Sequence, residues 1–304
     1  MINSLRRRRP GRGPLRTKAF GAAFCLLALS CASHAAAPET RALLGVTLDG
    51  RVASLIGEIR DKLGKDVDVA FAELDEEGAG GDYTLGVSYL TGAGVPVVRV
   101  DESFRNRTRE EKLAVLAHEL LHLRLRVRGY PLFLFSPGVM TLKGPAQDVE
   151  QPNVNDLVSL IEHRIFAAQM RAADFDQIID LTNAVEGARA RRGVEDSQAE
   201  TLNYARALLE WDNPARLEEL TRVHRANGWR RSLADGRRLA EIISSASAST
   251  PAEVTPVFLR CMSVLYRAEF RVEADRGFAH SKIYPQMLIH ARRPPRGVRP
   301  RRGR

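Results

Sequence analysis

Cysteine is scarce in this 304-residue chain, and its three residues stand far apart. Cys25 and Cys31 fall in an N-terminal segment with the composition of an export signal, so cleavage of that segment would leave Cys261 alone. A single thiol forms no intrachain disulfide. It also excludes a cysteine-based zinc site and makes a Cys/His nucleophile pair unconvincing.

Acidic residues are absent from both ends of the chain, so the formal charge of +9 misleads as an average. Residues 1–37 hold seven Lys and Arg, and residues 292–304 hold seven Arg. Removing these fourteen from the total of 46 leaves 32 basic residues against 37 acidic residues in the body. A mildly acidic body argues against a nucleic-acid-binding core. We expect no nucleic-acid partner.

Long hydrophobic runs are missing as well, and the apolar stretch 19–32 is too short to span a bilayer comfortably. A basic segment precedes this stretch, and small-x-small cleavage sites follow it at Ser33-His34-Ala35 and at residues 35–37. We predict that residues 1–37 are a signal peptide and that the protein is exported, either to the periplasm or into the medium. An uncleaved anchor, or a lipid on Cys31, would be its only membrane contact.

One motif carries chemistry, the H-E-x-x-H pattern of His118, Glu119 and His122. Residues four apart lie on one face of a helix, so both imidazoles can point at one metal ion. Glu119 lies about 100° around the helix, within reach of a metal-bound water. Zn²⁺ suits this set, because it binds imidazole nitrogen and a catalytic site keeps one position open for water.

The flanking residues predict that the motif lies on a helix. Thr108 and Glu111 fit a capping box at its start, and Gly129 marks its end. At helical spacing one side is apolar, with Leu113, Leu116, Leu120, Leu123 and Val127. His118 and His122 fall on the opposite side, where Val115, Leu121 and Leu125 flank them, and we therefore expect the histidines to line an apolar cleft.

The third metal ligand is predicted on a later helix. Glu162 lies at the margin of an apolar helical side, where a carboxylate is costly unless it is paired or bound to metal. We take Glu162 as the third ligand, with His163 as the competing candidate. A boundary glutamate paired with an arginine is the other interpretation of Glu162.

The motif followed by Glu162 resembles the zincin metallopeptidases, in the Glu-ligand arrangement, over roughly residues 65–170. The resemblance implies hydrolysis of peptide bonds at a zinc ion, with Glu119 activating the zinc-bound water. It also implies a small sheet that feeds into the active-site helix and binds an extended peptide along its edge. Many of these peptidases have Asn before the downstream Glu and Asp four residues after it. Ile161 and Phe166 stand there instead, so the support of a metal histidine must come from elsewhere, with Asp156 and Asp174 as candidates.

Three strands are predicted before the active helix, at 67–71, 83–90 and 95–100. The segment Val95–Val100, or its hairpin partner, is the expected peptide-binding edge. Residues 38–64 suggest a preceding helix, and residues 129–144 an apolar loop in which Tyr130 is a candidate oxyanion donor. The expected fold class is α+β, with a zincin-like sheet and active-site helix followed by a mainly helical region.

Four segments follow from this pattern. They are a signal peptide at 1–37, a zincin-like metal-binding domain at 38–170, a helical region at 171–290 packed on it, and a disordered basic tail at 291–304. In the helical region we expect helices near 174–185, 196–211, 214–227, 232–246 and 255–270, the last capped by Thr255. Two other functions stay open, an exported metal-binding protein without peptidase activity and an envelope interaction protein.

Overall fold

A computed structural model describes residues 42–74, 85–135, 151–172, 184–193 and 197–291. The predicted signal peptide, nearly all of the predicted basic tail, Asp174 and most of the loop after residue 135 lie outside the described residues. In the described part of the chain, no helix combines the length and the apolar character needed to cross a membrane.

The described residues form an α+β fold, as predicted. The helices are α1 (Gly50–Leu63), α2 (Arg109–Val127), α3 (Gln151–Ala172), α4 (Ala184–Ala190), α5 (Gln198–Glu210), α6 (Pro214–Ala226), α7 (Arg230–Ser245) and α8 (Pro251–Tyr266). The strands are β1 (Ala42–Leu43), β2 (Val46–Thr47), β3 (Asp68–Ala72), β4 (Gly86–Leu90), β5 (Pro96–Asp101), β6 (Leu132–Phe135), β7 (Phe270–Ala274) and β8 (Gln286–Ala291). Ala291, which the predicted tail included, thus ends a strand.

The sheet before α2 has β5 at its centre, parallel to β3 and antiparallel to β4. Val97, Val98 and Val100 are fully buried, as expected of a strand with a neighbour on each side. Pro96, which cannot donate to a ladder, stands at the first position of the strand. The segment Val95–Val100 is therefore not the edge, and its hairpin partner β4 is.

Helix α2 begins and ends close to the predicted residues. Thr108 is its N-cap, and the Thr108 hydroxyl and the Glu111 carboxylate satisfy each other's backbone amides in a capping box. The helix is buried along most of its length, and α1, β4, β5 and α3 all contact it. This burial on several sides fixes the helix at the centre of the fold.

A second sheet was not predicted from the sequence. Strand β8 pairs in parallel with β6 and antiparallel with β7, so residues 132–135, expected as a loop, form a strand. The predicted start of the last helix was also wrong. Thr250 and Glu253 form its capping box and Pro251 opens it, while Pro256 lies inside the helix. The repeated Thr-Pro pattern allowed either start.

One hydrophobic core extends from Leu44 to Ile289 and joins residues of the two three-stranded sheets to α1, α2, α3, α5, α7 and α8. Helices α5, α7 and α8 thus share their core with the helix that bears the motif. A smaller cluster around Trp229 and Tyr204 packs α4, α5 and α6 together. This shared core brings residues distant in sequence to the histidines of α2.

The stacked rings of Phe133 and Phe258 test the contact between the second sheet and α8. Their centroids lie 3.9 Å apart, and both side chains are fully buried. We expect Phe258→Ala to lower the free energy of unfolding by about 3–5 kcal/mol, because it removes buried area and leaves a cavity. Urea denaturation measures the change. Tyr89→Ala, at a ring 48% exposed, is the control and should change it by about 0.5 kcal/mol or less. If Phe258→Ala changed the free energy of unfolding as little as Tyr89→Ala, the packing of α8 against the second sheet would be contradicted.

Candidate metal centre

Helix α2 presents His118 and His122 to the same point. Their Nε2 atoms lie 3.2 Å apart, and their ring centroids 4.9 Å apart. Both rings are part-buried at the wall of a cleft, while Leu116, Leu120 and Leu123 on the other side of the helix are fully buried. The four-residue spacing and the apolar stripe produce this orientation, as the sequence predicted.

His163 of α3 completes a group of three imidazoles, here called the histidine cluster (His118, His122 and His163). One ring nitrogen from each residue can be chosen so that all lie within 4.8 Å of one another, close enough to bind one metal ion. The ring centroid of His163 is 4.7 Å from that of His118 and 5.2 Å from that of His122. The sequence had offered His163 only as the competing third ligand.

Glu162, the predicted third ligand, lies beside the cluster and contacts His122 through that ring's other nitrogen. Its Oε2 is 2.6 Å from His122 Nδ1, and its Oε1 forms an ion pair with Arg126. The carboxylate is thus not a member of the group that converges on one point. It holds the His122 ring and pairs with a part-buried arginine, which resembles the arginine-paired interpretation that the sequence left open.

Glu210 of α5 does for His163 what Glu162 does for His122. Its Oε1 lies 2.6 Å from His163 Nδ1, while His163 Nε2 contacts the Ser159 hydroxyl at 3.0 Å. A carboxylate on the second ring nitrogen fixes the orientation of a histidine ligand and raises its basicity. Sequence reasoning missed Glu210, because 47 residues separate it from His163 and no motif surrounds it.

Asp156, a candidate for this supporting role, pairs instead with Arg206 at 3.5 Å. Phe166, which stands where many zincins have an aspartate, packs against all three imidazoles. Its ring centroid lies 5.6, 5.0 and 5.4 Å from those of His118, His122 and His163. An apolar ring therefore supports the cluster at this position, and carboxylates from other turns supply the hydrogen bonds.

The surroundings of His118 and His163 favour the neutral imidazole, and those of Glu162 and Glu210 favour the ionised carboxylate. Burial lowers the pKa of His118 well below its ordinary value, and the charges of the neighbouring histidines lower it further. Burial likewise lowers the pKa of His163. Burial by itself would raise the pKa of Glu162, but Arg126 and His122 bring it below the ordinary value, and His163 and Arg206 do the same for Glu210. Neutral imidazole is the form that binds a metal ion.

Glu119 lies beside the cluster and is 7% exposed. Burial raises the pKa of its carboxyl group, and the nearby Ser88 side chain of β4 partly offsets this increase. Gly86 of the same strand lies directly against it. A carboxyl group with a raised pKa next to a metal-binding group is placed to accept and return a proton.

The histidine cluster opens on a cavity of about 440 Å³, here called the cleft. Leu85 and residues 86–88 of strand β4 form one wall, and α3 forms another with Val158, Ser159 and Glu162. Arg126 and Arg206 also line it. Tyr130, the candidate oxyanion donor, is buried elsewhere and donates its hydroxyl proton to the Ser249 carbonyl at 2.7 Å.

Metal binding distinguishes the roles of His163 and Glu162. We expect His163→Ala to abolish stoichiometric binding of Zn²⁺, because it removes one of three converging nitrogens. Glu162→Gln should weaken binding by roughly 10–100-fold, as loss of a supporting carboxylate does. Competition titration with a chelating dye measures both, and His290→Ala, a histidine outside the cluster, is the control. If Glu162→Gln abolished zinc binding and His163→Ala only weakened it, Glu162 would be the third ligand.

Comparison with known proteins finds no match for this chain among protein-family models, curated proteins or solved structures.

Proposed function

We propose that this protein is a zinc-dependent peptidase in which His118, His122 and His163 bind the metal ion and Glu119 acts as general base. The observation that carries the proposal is the convergence of three imidazoles beside a buried glutamate at the wall of an open cleft. It keeps the zincin resemblance of the α2 motif but replaces Glu162 with His163 as the third ligand.

The donor set fits zinc. Two nitrogens bound at 2.0–2.1 Å to a tetrahedral zinc ion lie about 3.3 Å apart, and His118 Nε2 and His122 Nε2 lie 3.2 Å apart. Three protein ligands with a fourth position left for water are typical of catalytic zinc sites. When bound, zinc would lower the pKa of a coordinated water and polarise the scissile carbonyl.

The side chains around the cluster have separate roles in this proposal. Glu119 takes the proton of the attacking water and delivers it to the leaving amine, for which its buried carboxyl is suited. Glu162 and Glu210 fix the orientation of His122 and His163 through the second ring nitrogens. Arg126 compensates the buried charge of Glu162, so that the carboxylate can stay ionised.

The edge of β4 supports an extended peptide as substrate. Among the described residues β4 pairs only with β5, so its other edge keeps backbone donors and acceptors that a peptide strand can satisfy. Residues 86–88 of this strand, and Leu85 just before it, line the cleft beside Glu119. A peptide added to this edge would pass the histidine cluster in extended conformation.

An apolar groove next to the cluster suits one side chain of such a peptide. Its volume is about 150 Å³, similar to a cavity that accommodates benzene. The apolar residues that line this groove are Leu160, Phe166, Ala167, Met170, Leu208 and Leu209, and Arg164, Arg171 and Ser244 also line it. His118, His163 and Glu210 border it as well. We infer that the substrate carries an apolar residue near the scissile bond.

The role of Glu119 is tested by Glu119→Gln. We expect the variant to bind one Zn²⁺ ion and to hydrolyse no peptide, because the amide keeps the shape of the side chain but cannot accept the proton. Metal analysis and a fluorogenic peptide library measure the two properties, and Glu110→Gln in the exposed first turn of α2 is the control. Full activity of Glu119→Gln would refute the assignment.

The wild-type protein decides between the classes of function. Zinc bound without hydrolysis of any peptide in the library would favour a metal-binding protein of another role. A purified protein with no stoichiometric metal would favour an interaction protein in which the motif has no chemical function.

The apolar groove is tested by filling it. We expect Ala167→Leu to lower kcat/KM roughly tenfold or more for peptides with a leucine at the preferred position. The larger side chain would fill the groove, and small changes of fit in an apolar pocket change kcat/KM by about this factor. Peptides with glycine there should be affected less. Ala168→Leu is the matched control, since Ala168 is the exposed neighbour of Ala167 on α3. Equal effects of the two variants would contradict the groove as a specificity site.

A further inference from the structure

Strand β4 lies so close to the side chain of Glu119 at Gly86 that no residue with a side chain would fit there. A Cβ atom built on Gly86 would lie 2.9 Å from Glu119 Cγ and 3.0 Å from Glu119 Oε1. It would also lie 3.2 Å from the Arg99 carbonyl oxygen of the neighbouring strand. The glutamate thus occupies the space that a side chain at position 86 would need.

Gly86 does not owe its place to backbone conformation. It lies within a regular strand, paired with Val100, and has no positive φ of the kind that favours glycine. Glycine weakens a strand, since it loses more conformational freedom on folding and packs no side chain. The close approach of Glu119 is what makes glycine the fitting residue here.

Ser88 acts on the same carboxyl group from two residues further along. Alternate residues of a strand point to one side, so positions 86 and 88 both face α2. Ser88 and Glu119 both line the cleft, and the Ser88 side chain lies near enough to act on the Glu119 carboxyl group, while Tyr89, the next residue, is exposed. Strand β4 therefore leaves room for the Glu119 side chain at Gly86 and places a hydroxyl group near its carboxyl group at Ser88.

We propose that Gly86 and Ser88 are positioning residues for the general base, so that one strand sets the place of Glu119 and also offers the edge that aligns the substrate. This inference rests on the proposed peptidase function. Its consequence is that the base and the substrate backbone are located relative to the same strand.

A double-mutant cycle tests the contact without any use of activity. Gly86→Ala should lower Tm by several degrees in the wild-type background, because the new methyl group meets Glu119. In the Glu119→Ala background most of that loss should disappear, since the conflicting atoms are gone. Gly92→Ala is the matched control, because a Cβ there meets nothing within 4 Å, and its effect should be the same in both backgrounds.

Kinetics test the positioning role. For Gly86→Ala we expect kcat to fall on the order of 100-fold, as misplacement of a catalytic group by about 1 Å can cause, with zinc content and KM unchanged. Ser88→Ala should lower kcat by a smaller factor, and Ser88→Thr should recover most of it because the hydroxyl returns. Gly92→Ala should keep full activity.

Each outcome decides something different. Equal Tm losses for Gly86→Ala in the two backgrounds would refute the contact. Coupling in Tm together with an unchanged kcat in both Gly86→Ala and Ser88→Ala would refute the positioning role. If the wild-type protein binds zinc but cleaves no peptide, the proposed function fails, and the Tm cycle still decides whether β4 fixes Glu119.

Discussion

The cost of burying charge next to three imidazoles is the constraint on which this structure depends. A buried carboxylate without partners would take up a proton or destabilise the fold. Here Glu162 is paired with Arg126 and His122, and Glu210 is paired with His163. Because these partners come from α2, α3 and α5, the three helices can pack only in an arrangement that satisfies both carboxylates. The apolar contacts of Phe166 and the shared core supply the stability that this polar cluster does not provide.

The part of the site that lies on one helix could be predicted from the sequence. The positions of His118, Glu119 and His122 follow from helical period, and the capping box at Thr108 fixes where the period starts. The α+β class and the three strands before α2 follow from local alternation and turn residues in the same way. Local rules suffice wherever the interacting residues are a few positions apart.

The rest depended on how distant segments pack. Glu162 and His163 are adjacent, and about 100° of helix rotation separates them, so the choice between them depended on how α3 is rolled against α2. The rotation of α3 about its own axis is determined by the packing of the whole core, and no short stretch of sequence specifies it. Glu210 and the pairing of β6 with β8 are set by contacts across 47 and about 150 residues. No local sequence pattern predicts the role of Glu210 or the pairing of β6 with β8. A short apolar run such as residues 132–135 is equally compatible with a loop and a strand.

The crosswise origin of the supporting carboxylates has one more consequence. His122 of α2 is held by Glu162 of α3, and His163 of α3 is held by Glu210 of α5. Detaching α5 would remove Glu210 and so release the His163 ring. Detaching α3 would release the His122 ring by removing Glu162, and it would also take His163 out of the cluster. Occupancy by a metal ion would therefore report whether the C-terminal half of the chain is folded. Any ligand that binds only the assembled group would, by mass action, protect helices it never touches from local unfolding.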